Sequence, residues 1–245
     1  MLRGSATSAG TAAYRALQGA GAAVGHFRAW RGLSLSSVGI GTYLGPDDDG
    51  TDALYEAAVE RAVLSGINVV DSAVNYRGQR SERAVGRALG RLVSDGRAAR
   101  EGIVVATKGG FLPFGGPPPP GLLRPGDLVA GCHCMTPRYL EDQIERSRVN
   151  LGVETIDIYY VHNPETQLGE LSRPVVMRRL RAAFECLEAA VREGKIGLYG
   201  TATWSGYRQP QTARDFLSLP DLVGLAEEIG EIGRASCRER VYVLV

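Results

Sequence analysis

Apolar, β-branched runs alternate along this chain with stretches whose apolar residues recur every three or four positions. The runs are 35–42 (LSSVGIGT), 67–71 (INVVD), 103–107 (IVVAT), 156–161 (IDIYYV) and 196–201 (IGLYGT), and each reads as a strand. Strand followed by helix, repeated, implies a parallel sheet. Two α/β architectures compete. A doubly wound sheet would carry G-x-G-x-x-G after its first strand. Here the text is GIGTYLG: Gly39 and Gly41 fit, but Leu44 holds the third position and Gly45 comes one residue late. The other architecture is a (β/α)8 barrel, whose active residues sit at the C-terminal ends of several strands.

The helical stretches carry their own punctuation. Thr51 and Asp52 can cap a helix running to Ser65, with Gly66 as its stop and Leu54, Ala58, Val59, Ala62 and Val63 on one face. Ser81 can cap the next, with Val85, Leu89 and Leu92 inward. Thr136-Pro137 opens a third helix along Leu140, Ile144, Ser147 and Leu151. Ser172 and Pro174 open a longer one through Met177, Leu180, Phe184, Leu187 and Val191, ended by Gly194. Further helices are expected from Pro210 or Gln211 and from Pro220.

At 245 residues the chain can bury a sizeable core. Its formal net charge of +1, with no basic stripe, argues against nucleic acid as a partner. No apolar run approaches the roughly 20 residues that span a bilayer, so no membrane partner is expected. The four cysteines do not form a disulfide framework for a chain this long, which points to a reducing, cytoplasmic setting. Of the 28 basic residues only Lys108 and Lys195 are lysine. Arginine serves wherever charge alone matters, so Lys108, at the end of a strand, invites a chemical reason.

That reason emerges at the strand ends. The second strand finishes on Asp71, with Tyr76 just beyond it in NVVDSAVNY; the third finishes on Lys108 and the fourth on His162. A tyrosine titrates near 10, too high for an efficient acid at neutral pH. An ammonium nearby favours the phenolate and lowers that value, and a carboxylate can hold the ammonium in place. Tyr76 and His162 could then polarise a carbonyl, with Lys108 and Asp71 in support. Hydride must come from a cofactor, since no side chain supplies it.

Residues 109–136, between the third strand and its helix, contain GGPPPPG, which reads as extended backbone. In a barrel this connection lies on the active face, either as a roof or as a solvated insertion. Cys132-His133-Cys134 falls within it, but a metal site needs more ligands at suitable spacing, and none is assigned.

The stretch GINVVDSAVNYRGQRSERAVG resembles the aldo-keto reductase signature, matched by Asp71, Ala73, Tyr76, Glu82 and Gly86. TKGG, YYVHNPE and GKIGLYGTAT resemble that family's third, fourth and fifth strand segments, so the likeness covers residues 32–230. It implies a (β/α)8 barrel of aldo-keto reductase type, incomplete here at about five βα units. It also implies reduction of a small-molecule aldehyde or ketone by NADPH, NADH being possible. Tyr76 would be the general acid, tuned by Lys108 and Asp71, with His162 orienting the carbonyl. Gly41, Thr42, Tyr43, Asp71 and Thr203 would face the cofactor. The alternative is a cofactor-binding regulatory barrel, or an inactive fragment of the reductase. Where many members have Trp after the histidine, this chain has Asn163; where they have Ser-Asn, it has Ala202 and Thr203.

The ends of the chain stand apart. Residues 1–31 form an N-terminal extension without Asp or Glu, either packing under the domain or acting as a transit segment. EIGRASCRERV, residues 231–241, looks like a translated sequencing adapter, so 231–245 is set aside as a tail. An open part-barrel would expose a strand edge and apolar helix faces, so the chain as written is expected to be weakly stable. The working enzyme is then expected to be a gene product that continues past Gly230.

Overall fold

The computed structural model describes residues 1–113 and 118–230. The expected extended run GGPPPPG falls partly on 114–117, and the adapter-like tail falls wholly on 231–245; both segments lie outside the described residues.

The elements in chain order are α1 (Ser8–Gln18), β1 (Phe27–Trp30), β2 (Leu33–Ser36), β3 (Ile40–Gly41), α2 (Asp49–Leu64), β4 (Val69–Asp71), α3 (Arg80–Ser94), β5 (Val104–Gly109), α4 (Pro137–Leu151), β6 (Ile156–His162), α5 (Arg173–Arg192), β7 (Ile196–Ala202) and α6 (Leu219–Ile229). β1 and β2 pair as an antiparallel hairpin, and the other strands form one sheet in sequence order, β3 to β7. β3 with β4 and β4 with β5 are parallel, with Gly41 opposite Asp71 and Asp71 opposite Ala106. Every residue of β5 and β6 is buried, which is why both read as predominantly apolar runs, with Asp157 the charged residue inside β6. The described residues divide into two compact units: those of Met1–Thr107 with Arg146–Ile158, and those of Lys108–Glu145 with Tyr159–Gly230.

In the first unit, the expected strand 35–42 is two pieces. Ser36 turns back, its Oγ donating to the Val38 carbonyl at 2.8 Å, and only Ile40 and Gly41 join the sheet. The N-terminal segment is built into this unit: Leu2 bridges Val153, and the Ala6 N–H donates to Asp157 Oδ1 at 2.6 Å. The Tyr14 hydroxyl donates to the Val63 carbonyl. α2 is capped by Asp48, which accepts from the Thr51 N–H at 2.7 Å, rather than by Thr51 or Asp52. Leu54 is exposed, against the expected apolar face. The α2 residues Asp52, Glu56 and Glu60, four apart, instead meet an arginine ladder. Arg77, Arg80 and Arg87 reach Asp52, Arg87 and Arg91 reach Glu56, and Arg91 and Arg97 reach Glu60.

α3 shows what two of the sequence-matched residues do. Ser81 is not a cap: it is buried, and its hydroxyl donates to the Thr42 carbonyl at 2.6 Å. Glu82 is wholly buried and accepts from Thr107 Oγ1 at 2.7 Å and Asn150 Nδ2 at 2.8 Å. One turn on, a Cβ at Gly86 would collide with the Asn150 carbonyl oxygen and lie 2.9 Å from the Leu151 carbonyl carbon. The glycine therefore permits a backbone approach, and the Glu-x-x-x-Gly spacing is packing. Gly86→Ala is expected to destabilise the protein by about 1–3 kcal/mol, read by urea denaturation. An unchanged midpoint would mean that the end of α4 yields freely.

In the second unit, α5 begins at Arg173 with Ser172 at its N-cap position making no side-chain cap bond, and Ser218 caps α6 by accepting from the Asp221 N–H. Residues 210–217 are turns rather than the expected helix. Arg173 donates to the carbonyls of Phe216 (2.5 Å) and Arg214 (3.4 Å), supplying partners that a helix would otherwise have provided. Among the described residues, no helix is long and apolar enough to cross a membrane, and no group of three His, Cys, Asp or Glu could hold a metal.

Candidate active site

The first unit carries Gly41, Thr42, Tyr43, Asp71 and Tyr76. Asp71 closes β4, and the chain leaves it through Ser72, Ala73 and Val74, all buried. The Ser72 N–H donates to the Ala106 carbonyl at 2.9 Å, so the segment stays on the sheet for one residue past the strand. Tyr76 opens a tight helical turn, Tyr76–Gln79, its N–H donating to the Ala73 carbonyl at 3.0 Å. That turn is held by Arg77. Its φ of 49° is in the left-handed region, and its guanidinium donates to the carbonyls of Pro46 (2.8 Å) and Asp48 (3.2 Å) and to Asp52 Oδ1 (2.7 Å). Sequence reasoning missed Arg77, because its partners lie 25 to 31 residues away.

Tyr43 is exposed and packs edge-on against Tyr76, ring centroids 4.9 Å apart. A Cβ at Gly41 would meet nothing within 4 Å, so the end of β3 is open. Thr42 faces inward. It is buried, with its hydroxyl 3.0 Å from Ser72 Oγ and 3.3 Å from the Asp71 carbonyl oxygen.

The second unit carries Lys108, His162 and Thr203. Lys108 lies near the end of β5, 4% exposed, and two glycines follow it. A Cβ at Gly109 would strike Tyr159 Oη and lie 2.6 Å from Gln143 Oε1, so the strand end is closely packed. His162 closes β6, buried. Burial, the Lys108 ammonium and His133 together hold its pKa well below the ordinary imidazole value, so it is neutral at neutral pH. A neutral imidazole can offer one N–H to an oxygen without surrendering a proton. Asn163 follows at φ 44°, its N–H donating to the Ala202 carbonyl at 2.6 Å.

Thr203 is half-buried just past β7, followed by the exposed Trp204. The segment after it is pinned by Glu165, a residue the sequence did not single out for a role. This buried carboxylate accepts through Oε1 from the N–H groups of Trp204 (2.6 Å), Ser205 (3.1 Å) and Gly206 (3.5 Å). Glu165→Leu leaves those donors without an acceptor. It is expected to destabilise by about 2–3 kcal/mol, and Glu165→Gln, which keeps one acceptor, by less. Urea midpoints for the two variants check this, and equal, negligible shifts would mean that the loop holds itself.

Helices that alternate with the strands of a sheet parallel along β3, β4 and β5, with ionisable side chains at strand ends, place the chain in the α/β-barrel class. The aldo/keto reductase family model matches residues 37–219, and the chain belongs to that family. It is 28% identical over 177 residues to a 6-dehydroglucose reductase of Novosphingobium aromaticivorans, covering 71% of this chain and 49% of that protein. It is 26% identical over 196 residues to an NAD(P)H-dependent D-xylose reductase of Kluyveromyces lactis, covering 71% of this chain and 50% of the relative. Among solved structures, the holo form of an aldo-keto reductase from Bacillus halodurans matches with a TM-score of 0.50 and 25% identity, covering 71% of this chain and 48% of that one. The chain thus spans about half the length of the relatives it matches.

Proposed function

We propose that the protein reduces an aldehyde or ketone to an alcohol in a reducing compartment such as the cytoplasm, using NADPH, with NADH as the alternative donor. The observation that carries this reading is Lys108. In a chain that uses arginine for nearly every positive charge, a lysine is buried at a strand end, where a compact ammonium rather than a guanidinium has been kept. Its work on this reading is to favour the Tyr76 phenolate and so lower the cost of proton release, with Asp71 holding the ammonium.

The cofactor, when bound, delivers hydride to the carbonyl carbon. Tyr76 Oη gives a proton to the carbonyl oxygen as the C=O π pair moves onto it, and the neutral His162 N–H donates a hydrogen bond to that same oxygen. On this reading Gly41, Tyr43 and Thr203 would face the nicotinamide end of a dinucleotide, and each is accessible within its own unit. The end of β3 at Gly41 is open, Tyr43 is exposed beside Tyr76, and Thr203 stands half-buried past β7. Thr42 supports this from behind, its hydroxyl already engaged by Ser72 and Asp71.

The test is loss of NADPH absorbance in the full-length gene product with nitrobenzaldehyde and a panel of simple aldehydes and ketones. Turnover supports the reductase. Tight NADPH binding without turnover on any carbonyl would replace it with the regulatory, non-catalytic reading.

A further inference from the structure

His133 stands in the long connection after β5 and has no part in the chemistry above, yet it is completely buried. Its Nε2 lies 2.7 Å from the backbone carbonyl oxygen of His162. That oxygen can only accept, so Nε2 carries the proton. Nδ1 lies 3.1 Å from Gln167 Nε2 and accepts from it. The orientation of the amide is fixed from its other end, where Arg179 donates to Gln167 Oε1 at 3.2 Å. Arg179 also donates to the Gly126 carbonyl at 2.7 Å and the Asp127 carbonyl at 3.3 Å, in the same connection as His133. Arg179, Gln167, His133 and the His162 backbone thus form one directed series of donors and acceptors.

The packing leaves the series little freedom. The Phe111 ring is edge-on to both imidazoles, with centroids 5.0 Å from His133 and 5.1 Å from His162. The His133 N–H and carbonyl both pair with Val129, and the Cys134 N–H donates to the Gly110 carbonyl at 2.8 Å. Gly110, at φ 138°, has no room for a side chain: a Cβ there would lie 2.8 Å from His133 Nε2 and 3.2 Å from the His162 carbonyl oxygen. On the other side, the His162–Asn163 peptide is tied to Ala202. The peptide that sets the direction of the His162 side chain is therefore held from both sides.

We propose that His133 is a positioning residue: through its hydrogen bond to the His162 carbonyl, it fixes the angle at which the His162 imidazole meets the substrate carbonyl. The consequence for turnover rests on the carbonyl-reduction reading; the clamp itself does not. Neutral His133 is required, since a second ring proton would face the Gln167 amide N–H. Burial holds its pKa down to about 4. In the folded protein the clamp therefore persists as pH falls from neutral and is lost only through about pH 4; the unfolded chain, with a free value near 6.5, protonates first, so the stability tied to the neutral ring is full above that pH and shrinks as pH falls towards about 4.

The test compares His133→Phe, which keeps a ring but no donor, with His133→Gln, whose amide can still donate, and with Gln167→Leu. Histidine imidazole NMR signals, assigned by single substitution of His26, His133 and His162, report on the clamp without turnover. The expected result is a shifted or doubled His162 signal in His133→Phe, restored towards the parent in His133→Gln. In Gln167→Leu the Nε2–H tautomer should persist, because the His162 carbonyl still accepts from it, while the His133 ring signals shift as Nδ1 loses its donor. Alongside, kcat falls about tenfold in His133→Phe, recovers in His133→Gln, and NADPH affinity stays within twofold. A His162 signal that superimposes in all three variants overturns the proposal. If the parent protein shows no carbonyl turnover, the reductase reading fails and the NMR arm alone decides the clamp. If His133→Phe does not fold, Gln167→Leu and His133→Gln decide it by the same signals.

Discussion

Tyr76→Phe is expected to lower aldehyde turnover at least a hundredfold in the full-length gene product while leaving NADPH affinity within about twofold. A positioned general acid contributes about 10²–10⁴ in rate, and removing only the hydroxyl deletes that contribution. The rest of the ring is unchanged, so its edge contact with Tyr43 persists. The turn also persists, because Arg77 ties it to the Pro46 and Asp48 carbonyls and to Asp52. A stability loss is therefore not part of the expectation, and a melting curve measured alongside separates the two. The neutral state of His162 sharpens the test. An imidazole whose pKa lies well below 6.5 holds no spare proton at neutral pH, so it cannot substitute as the acid. Residual turnover near the parental rate in Tyr76→Phe would remove Tyr76 from the chemistry and, with it, the reason offered for Lys108.

How much of this was legible beforehand depends on where each residue's partners lie. β4, β5, β6 and β7 were readable because they are largely apolar, wholly buried in β5 and β6 and partly so in β4 and β7, and bounded by polar breaks, and the residues at their ends followed directly. The first strand was misread because LSSVGIGT is apolar enough to look continuous, while a side-chain bond from Ser36 to Val38 breaks it. The helix expected from Pro210 failed for a related reason: Arg173, some 40 residues earlier in the chain, caps carbonyls there. Ser81 looked like a cap because local spacing allowed it, but its hydroxyl turns to a carbonyl 39 residues away. Arg77, Glu165 and His133 carried no local signal, since each acts on backbone groups about 30 to 40 residues distant. The Cys-His-Cys spelling around His133 drew attention to metal, whereas the histidine's partners are a carbonyl and an amide.

The largest stability effect is expected at Asp157, on the second residue of β6. Its carboxylate is buried, and every partner is a donor. Oδ1 accepts from the Ala6 N–H at 2.6 Å, and Oδ2 accepts from the Val105 N–H at 2.7 Å and from Arg100 Nη2 at 2.9 Å. Burial pushes its pKa above the ordinary carboxylate value, while Arg100 and the two N–H groups pull the other way. The donor geometry on both oxygens favours the ionised form. Arg100 is as deeply buried, with further bonds to the carbonyls of Ile103 (2.7 Å) and Thr155 (2.9 Å). One carboxylate therefore joins the N-terminal segment, the start of β5 and the arginine before it to β6. Asp157→Ala leaves a guanidinium buried without its counter-charge and two N–H groups without acceptors. Breaking such a pair costs about 3–5 kcal/mol, which corresponds to a fall in Tm of roughly 6–20 °C. The double variant Arg100→Met, Asp157→Leu removes both charges and is expected to recover a large part of that loss, because the stranded charge is the main penalty. Deletion of residues 1–7 removes the Ala6 N–H, the Thr7 cap of α1, the exposed Arg3–Glu154 pair and the neighbouring backbone pairs, but strands no buried charge, and should cost less than Asp157→Ala. If Asp157→Ala melts within 2 °C of the parent, water reaches Arg100 and the site is not a closed ion pair; if the double variant is no better than the single, packing around β6 and not charge sets the loss.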